Sequence, residues 1–242
     1  MAWFESWFNS SYYHILYSDR DEKEAEAFLK RLIMFLAPSP DARMLDLACG
    51  KGRHSIFLNS LGFEVTGIDL SKESIDYCSK FENNSLSFFV HDMRKLFRTN
   101  DFDYVLNLFT SLGYFERETE NKVAIQNACI ALRPGGRMII DFFNSEFVRQ
   151  NLVIDETKVR KDITFKISKD ITGTTLFKHI RFEDNNRQYH FTEKVTLLTY
   201  SDFENYLLSF GMEIETVFGD YALHPFETGS SPRLIIIAKK PL

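Results

Sequence analysis

Cysteine is scarce in this sequence. The 242 residues contain three cysteines, Cys49, Cys78 and Cys129, which are far apart and odd in number. That pattern gives neither a disulfide framework nor the spacing of a metal site. We therefore predict no metal site, and we interpret Cys49, which lies inside a glycine-rich turn, as a small packing residue.

Surplus positive charge and long apolar runs are also missing. The chain has 29 Lys and Arg against 34 Asp and Glu, a net charge of −5, so no surface basic enough to follow a nucleic-acid backbone is expected. No run approaches the roughly 18 apolar residues of a membrane span, and the opening MAWFESWFNSS lacks the basic start of a secretion signal. These absences predict a cytoplasmic protein without nucleic-acid or membrane partners.

The glycine-rich turn lacks one glycine of the usual dinucleotide fingerprint. An apolar strand that contains Asp46 leads into Gly50 and Gly52 and then into a helix, with Ser55 where the third glycine would stand. Glycine permits positive φ and close approach of a ligand, and the helix start offers N–H donors. A polar ligand is predicted here. Because Asp46 would repel a pyrophosphate, its presence favours a ligand that carries positive charge.

Three later predicted strands end in groups that suit the rest of such a ligand. They are Asp69 after residues 63–68, Asp92 and Met93 after residues 86–90, and Asn107 within residues 103–108. Carboxylates accept hydrogen bonds from ribose hydroxyls or an exocyclic amine, and Met93 can pack on a purine face. Since the carboxyl ends of parallel strands share one edge of a sheet, these groups are expected beside Gly50.

Four motifs in this order carry a family resemblance: DLACGKG at 46–52, GIDLS at 67–71, HDM at 91–93 and LRPGG at 132–136. Over about residues 43–143 the chain resembles the class I S-adenosylmethionine-dependent methyltransferases. More narrowly, NLFTSLGYF at 107–115, the aromatic N-terminal segment and residues 189–212 are similar to small-molecule N-methyltransferases that act on amino sugars. The resemblance implies S-adenosylmethionine as cofactor, a small-molecule methyl acceptor and in-line transfer, with nitrogen as the expected acceptor atom.

The resemblance also implies cofactor contacts. Gly50 and Gly52 would cradle the methionine end, and Asp46 would accept from its amino group directly or through water. Asp69 would bind the ribose hydroxyls, and Asp92 would accept from the adenine amine. Six further contacts are expected: Leu70 and Met93 on the adenine ring, Asn107, Leu108 and Phe109 along the methionyl side, and Arg20 at the carboxylate.

Two residues are predicted to be catalytic, Tyr17 and His190. Methyl transfer needs no strong base, and a tyrosine or histidine near the methyl group suffices to take the proton of an amine. Tyr17 best matches a tyrosine that lines the active site in the amino-sugar enzymes. His190 is preferred over His179 and His224, although a structural role competes with a catalytic one for each.

Alternating strands and helices predict an α/β fold: a Rossmann-like, seven-stranded, mostly parallel sheet with helices on both faces. The core comprises residues 41–150 and 199–242, with a helix capped by the box Ser201-x-x-Glu204. Residues 151–198 read as an inserted antiparallel meander, three strands that cover the active site. Residues 1–40 read as an aromatic lid followed by an amphipathic helix, and the loop 219–231 meets the ligand edge if strand six is parallel to its predecessors.

Three alternatives stay open at this stage. The meander could build a homodimer surface instead of a cover. The chain could bind S-adenosylmethionine or a nucleotide without catalysis, because no catalytic residue is mandatory for methyl transfer. A nicotinamide-dependent oxidoreductase shares the fold, but Asp46, Ser55 in place of the third glycine and the HDM motif disfavour it.

Overall fold

The chain forms a seven-stranded sheet flanked by helices and a separate four-stranded antiparallel sheet. A computed structural model describes residues 3–18 and 22–242. Its helices are α1 (Trp3–Phe8), α2 (Ser11–Leu16), α3 (Glu22–Leu36), α4 (Arg53–Ser60), α5 (Lys72–Cys78), α6 (Glu118–Ala131), α7 (Ser145–Gln150) and α8 (Tyr200–Ser209). Its strands are β1 (Arg43–Leu47), β2 (Glu64–Asp69), β3 (Leu86–Val90), β4 (Phe102–Asn107), β5 (Leu132–Phe143), β6 (Asp155–Arg160), β7 (Ile163–Thr172), β8 (Thr175–Asp184), β9 (Arg187–Thr196), β10 (Glu213–Phe218) and β11 (Arg233–Lys239).

The large sheet has the strand order β10-β11-β5-β4-β1-β2-β3. Strands β1 to β5 pair in parallel, whereas β11 is antiparallel to both β5 and β10. The predicted fold class is therefore confirmed. Because β10 runs parallel to β5, the loop 219–231 leaves the sheet at the same edge as the carboxyl ends of β1 to β4.

Alternation along each strand builds a core on both faces of this sheet. Met44 and Leu106 pack on one face with Phe28 of α3 and Leu58 of α4. Residues that point the other way pack with α6 and α8: Leu45, Val105, Ile125 and Phe203. The sheet is buried on both faces, as parallel sheets require.

Among the helices near the core, α8 begins at a different residue from the predicted one, and α7 is absent from the prediction. The capping box of α8 is Thr199 with Asp202, not Ser201 with Glu204: the Asp202 carboxylate accepts from the Thr199 N–H at 2.7 Å, and Glu204 instead accepts from the Tyr200 hydroxyl. With Thr199 as the N-cap, α8 begins at Tyr200. This is two residues earlier than it would begin with Ser201 as the N-cap. The short helix α7 was not predicted; its cap is the Asn144 side chain, which accepts from the Glu146 N–H.

The insert has four strands in the order β6-β7-β8-β9, not three. Residues 158–167, which the sequence predicts as the first of the three strands, instead contain the turn of a hairpin at Lys161 and Asp162, with φ of 46° and 65°. The turn at Asn185 and Asn186 has the same left-handed backbone, with φ of 50° and 58°. Asparagine is typical of such a turn because it tolerates positive φ. Lys161-Asp162 contains neither glycine nor asparagine, so the sequence does not predict the first hairpin.

The N-terminal helices pack on the inner face of the insert. Trp7 and Leu16 are buried against three apolar residues from β7 and β8: Phe165, Ile180 and Phe182. The Trp7 indole lies 4.4 Å from the Phe191 ring. The insert and residues 3–18 thus share one hydrophobic cluster, which is distinct from the two clusters of the large sheet. Among the helices of the described residues, none is long and apolar enough to cross a membrane.

Candidate active site

A cavity of about 380 Å³ lies at the carboxyl edge of the large sheet. One wall consists of the segments that follow β1, β2, β3 and β4, and the opposite wall consists of residues from the N-terminal helices. Eight of the predicted site residues line it: Tyr17, Gly50, Asp69, Leu70, Asp92, Met93, Leu108 and Phe109. Arg20, predicted at the cofactor carboxylate, lies outside the described residues.

Gly50 and Asp69 form the central part of the strand-end wall. The Asp69 carboxylate accepts from the N–H groups of Gly50 and Ser71, both at 2.8 Å, which fixes its orientation. Burial raises the pKa of Asp69, and these backbone donors partly oppose the rise. Gly50 has φ of 55°, and a Cβ built on it meets no described atom within 4 Å. That space belongs to the cavity, so a ligand can approach the bare backbone.

Asp46 and Ser55 form a buried pair behind this wall and do not line the cavity. The Ser55 hydroxyl donates to the Asp46 carboxylate at 2.6 Å, and the two residues are 0% and 1% exposed, respectively. Burial raises the pKa of Asp46 to about 7, and the hydrogen bond from Ser55 acts in the opposite direction. The residue that replaces the third glycine is thus the partner of the acid in the strand, and the expected contact between Asp46 and a ligand would need one intervening group.

Gly52 and Asn107 also lie behind the cavity. A Cβ on Gly52 would come within 2.9 Å of the Phe88 ring, so close packing requires a glycine here. The predicted ligand cradle at Gly52 stays a prediction. Asn107 is 1% exposed; its amide donates to the Leu47 carbonyl, while its Oδ1 has no hydrogen-bond partner among the described residues. An unpartnered buried acceptor below the cavity suits a bound donor or a water molecule.

Asp92 lines the cavity but is already paired. Arg94 donates to it from Nε and Nη2, the latter at 2.8 Å, and also reaches Glu120 at 2.6 Å. Burial alone would raise the pKa of Asp92, yet the hydrogen bonds and charge of Arg94 outweigh it and hold the pKa below its usual range. The carboxylate is therefore anionic and oriented, and it keeps lone pairs for an amine.

Phe109 lies on top of the helix start that follows the glycine turn. Its ring stacks on the His54 imidazole with centroids 4.8 Å apart, and the Arg53 guanidinium lies 4.8 Å from the same ring. His54 and Arg53 both line the cavity, although neither was predicted as a site residue. Their place directly after Gly52, at the start of α4, is the signal that could have identified them.

Tyr17 joins the cavity to the insert. Its hydroxyl donates to the Glu193 carboxylate at 2.7 Å and accepts from the Lys178 ammonium at 2.5 Å. The Trp7 indole donates to the same Glu193 oxygen at 2.6 Å. Burial lowers the pKa of Lys178, and the charge of Glu193 partly opposes that change. The insert thus touches the site through the N-terminal segment: none of its described residues lines the cavity, so the predicted cover is indirect.

The predicted catalytic role of His190 is not supported by its position. It is exposed, opposite Arg181 in the register, and belongs to the set of alternate β9 residues that point away from Trp7. His179 hydrogen-bonds to Asp170 and Thr192, and His224 pairs with Asp220. None of these three histidines lines the cavity. Successive side chains on a strand point to opposite faces of the sheet. His190 points to the face of the insert that lies away from the N-terminal helices.

The fold is similar to the Rossmann-like architecture of solved S-adenosylmethionine-dependent methyltransferases. A solved structure of such a methyltransferase from Clostridium acetobutylicum ATCC 824 matches with a TM-score of 0.78 at 20% identity, covering 96% of each chain. Residues 44–136 match the family model described as a methyltransferase domain. This part of the chain is therefore similar to a methyltransferase domain, and the predicted resemblance and cofactor class are confirmed.

Two curated relatives are similar over different lengths. YqeM of Bacillus subtilis (strain 168), named as a methyltransferase, is 36% identical over 106 residues, which cover 43% of each chain. The match thus spans less than half the length of that relative. The dTDP-3-amino-3,4,6-trideoxy-alpha-D-glucopyranose N,N-dimethyltransferase of Streptomyces venezuelae is 23% identical over 190 residues, covering 75% of this chain and 80% of that one.

The groups on the sheet side of the cavity fit this cofactor class. Within residues 3–18 and 22–242, no group of three or more His, Cys, Asp or Glu side chains is placed to hold a metal ion. The bare backbone at Gly50, the oriented carboxylate of Asp69 and the unpartnered Oδ1 of Asn107 lie on the sheet side of the cavity. These are the kinds of groups that a ligand with ribose hydroxyls and an amino acid moiety would engage.

Proposed function

We propose that this protein is an S-adenosylmethionine-dependent methyltransferase that methylates the nitrogen of a small-molecule amine. The observation that carries the proposal is one cavity with two unlike walls. Anchored carboxylates and open backbone at the strand ends suit the cofactor, and tyrosines from the N-terminal helices suit an acceptor. The similarity to an N,N-dimethyltransferase that acts on an amino sugar supports nitrogen as the acceptor atom.

The cofactor subsite follows the strand ends. Asp69 would accept from the ribose hydroxyls, Asp92 from the adenine amine, and Gly50 would let the methionine end lie against the backbone. Leu70 and Met93 supply apolar surface for the adenine ring, and Leu108 and Phe109 lead toward the methyl group. Asp46 and Asn107 would act from behind this wall by orienting it or through a water molecule.

The acceptor subsite lies between Phe109 and the N-terminal helices. When bound, S-adenosylmethionine would supply a methyl group on a positively charged sulfur. The nitrogen lone pair of the amine would attack the methyl carbon, so that the N–C bond forms while the S–C bond breaks and its electron pair returns to sulfur. The task of the protein is to hold the nitrogen in line and exclude water. The Tyr17 oxygen, fixed by Glu193 and Lys178, would accept from an N–H of the amine and so aim its lone pair. The amine proton then leaves to solvent.

The test has a binding step and a turnover step. Calorimetry with S-adenosylmethionine, S-adenosylhomocysteine and NAD should give micromolar binding of the first two and none of the third. A library of small amines with labelled S-adenosylmethionine should then yield a methylated amine. Binding without transfer to any amine would favour a non-catalytic binder, and NAD binding alone would favour an oxidoreductase.

Tyr17→Phe tests the acceptor subsite separately. We expect kcat to fall by at least about tenfold because the amine loses its oriented acceptor, with unchanged affinity for S-adenosylhomocysteine. Tyr77→Phe, a tyrosine on α5 that is 42% exposed, is the matched control and should leave both quantities unchanged. Unchanged kcat in Tyr17→Phe would remove this hydroxyl from the mechanism. The cytoplasmic location, the absence of a nucleic-acid partner and a homodimer stay predictions of the sequence.

A further inference from the structure

We propose that Asp141 is a positioning residue that holds the Phe109–Ser111 segment in the shape required for methyl transfer. The proposal rests on the proposed function, since Phe109, Thr110 and Ser111 line the cavity where the methyl group and the acceptor would meet. Asp141 itself is 0% exposed and does not line the cavity. It can therefore act only through the segment that it holds.

The segment has an unfavourable backbone. Phe109 and Thr110 are consecutive residues with φ of 57° and 61°, and neither is glycine. Side chains with a Cβ rarely adopt this region, and a β-branched residue such as Thr110 does so least readily. Two such residues in sequence persist only where the surroundings impose them, and they tend to occur at functional sites.

Asp141 supplies both backbone contacts that hold the two residues. Its carboxylate accepts from the Phe109 N–H at 2.8 Å, and its carbonyl oxygen accepts from the Thr110 N–H at 3.0 Å. A single residue on β5 thus fixes two successive amides of the loop after β4. This contact lies at the carboxyl edge of both strands, next to the cavity.

A half-buried arginine and a tyrosine hold the carboxylate in turn. Arg233, at the start of β11, donates to Asp141 Oδ1 from Nε at 2.8 Å and from Nη2 at 2.6 Å, and it also reaches the Thr110 hydroxyl at 3.2 Å. The Tyr221 hydroxyl donates to Oδ2 at 3.2 Å, and its ring packs 5.1 Å from the Phe109 ring. Burial raises the pKa of Tyr221, with the Asp141 charge acting in the same direction, so this hydroxyl stays a donor.

Through Tyr221, the loop 219–231 contacts both Asp141 and the Phe109–Ser111 segment that it holds. Tyr221 comes from that loop and packs against Phe109, whose ring also stacks on His54. Loss of the Asp141 charge would free the segment to relax toward negative φ and would shift Phe109, Thr110 and Ser111 together. Displacements of about 1 Å in such a wall cost up to about a hundredfold in rate.

The test compares Asp141→Asn, Tyr221→Phe and the control Glu215→Gln. Glu215 on β10 accepts from Arg137 Nε at 2.6 Å, and both side chains are partly exposed. Arg137 and Asp141 are both on β5, but Arg137 is toward the other end of the strand. The control thus removes an ion pair of β5 that is far from the cavity. Tyr221→Phe keeps the ring and the Arg233 pair, which keeps the proposal testable if Asp141→Asn does not fold. Amide hydrogen exchange at residues 109 and 110, kcat and affinity for S-adenosylhomocysteine are measured for each variant.

We expect amide exchange at residues 109 and 110 to rise about tenfold or more in Asp141→Asn and by less in Tyr221→Phe. With the amine identified for the wild type, kcat should fall in the same order, while the affinity for S-adenosylhomocysteine changes much less than kcat. A merely structural role would lower the melting temperature and leave kcat unchanged well below it. Exchange or kcat in both variants equal to that of Glu215→Gln would overturn the proposal. If the wild type transfers methyl to no amine, the proposed function fails, while the exchange result still decides whether Asp141 holds the segment.

Discussion

The two walls of the cavity are built in different ways. The strand-end wall uses backbone groups and carboxylates that are close in sequence, such as Gly50 and Asp69, 19 residues apart. The opposite wall uses aromatic side chains whose anchor is far along the chain: Tyr17 and Trp7 bind Glu193 across 176 and 186 residues, respectively. The first wall follows from a local turn and strand order, and the second depends on tertiary contacts between the N-terminal helices and the insert.

This difference separates what each wall contributes. Backbone donors and short side chains at strand ends cost little conformational entropy to orient, which suits a cofactor of fixed shape. Long aromatic side chains on two short helices, α1 and α2, gain their order from burial against the insert. We therefore expect cofactor affinity to be sensitive to changes at the strand ends. The opposite wall, formed by residues of the N-terminal helices and here called the acceptor wall, should instead depend on the insert for its stability.

The largest effect is expected from Glu193→Ala, which removes the anchor of the acceptor wall. The change leaves the Trp7 indole, the Tyr17 hydroxyl and the Lys178 ammonium without this carboxylate, which should lower the free energy of unfolding by about 3 kcal/mol. Urea unfolding followed by tryptophan fluorescence measures it. Glu183→Ala, an exposed acid on β8, is the control. If both variants unfold alike, the acceptor wall does not depend on the insert.

Asp69→Ala tests the strand-end wall. Loss of the ribose acceptor and of the contacts to the Gly50 and Ser71 N–H groups should weaken binding of S-adenosylhomocysteine by about 1–3 kcal/mol, or roughly 5- to 150-fold. Calorimetric titration gives the affinity. Asp76→Ala, an exposed acid on α5 paired with Lys72, should bind like the wild type. The affinity for S-adenosylhomocysteine is measured for Glu193→Ala as well. If Asp69→Ala loses less of this affinity than Glu193→Ala, the two walls do not divide the roles in this way.

The third prediction concerns pH and sharpens the account of the strand-end wall. Because burial raises the pKa of Asp46 to about 7, the folded state retains a proton between pH 4 and 7 that the unfolded state has lost. Stability contributed by this group therefore falls as pH rises through that range, by about 1.4 kcal/mol per pH unit at its steepest. The free energy of unfolding of the wild type, relative to Asp46→Asn, should decrease from pH 5 to pH 6 to that extent. A constant difference across this range would mean that Asp46 is ionised when folded.

The same contrast explains how far the sequence could lead. Alternating apolar strands and helices predicted the large sheet, and glycine, aspartate and methionine at strand ends predicted four of the residues that line the cavity: Gly50, Asp69, Asp92 and Met93. The family resemblance added the other four, Tyr17, Leu70, Leu108 and Phe109. The sequence could not show that Gly52 packs against the Phe88 ring, because a glycine needed for packing looks in sequence like one needed for a ligand. Asp46 and Asn107 were placed at the right edge of the sheet, but the pattern could not show that they point behind the wall.

Features that depend on long-range packing were not predictable in the same way. The first hairpin of the insert turns at Lys161-Asp162, which has no residue typical of a left-handed turn. The face on which His190 lies depends on how the N-terminal helices dock, which no local pattern records. Asp141 could have been noticed, since an acid inside an apolar strand also marked Asp46, but its partner Arg233 is 92 residues away.

The pairing of Ser55 with Asp46 has a consequence for how this turn can diverge. A glycine at position 55 would restore the usual fingerprint but would remove the hydroxyl that donates to a fully buried carboxylate. A change of Ser55 to glycine alone therefore carries a cost, and we expect positions 46 and 55 to change together in related sequences. A sequence search that demands the third glycine would pass over such proteins, whereas one that accepts an aspartate and a serine nine residues apart would find them.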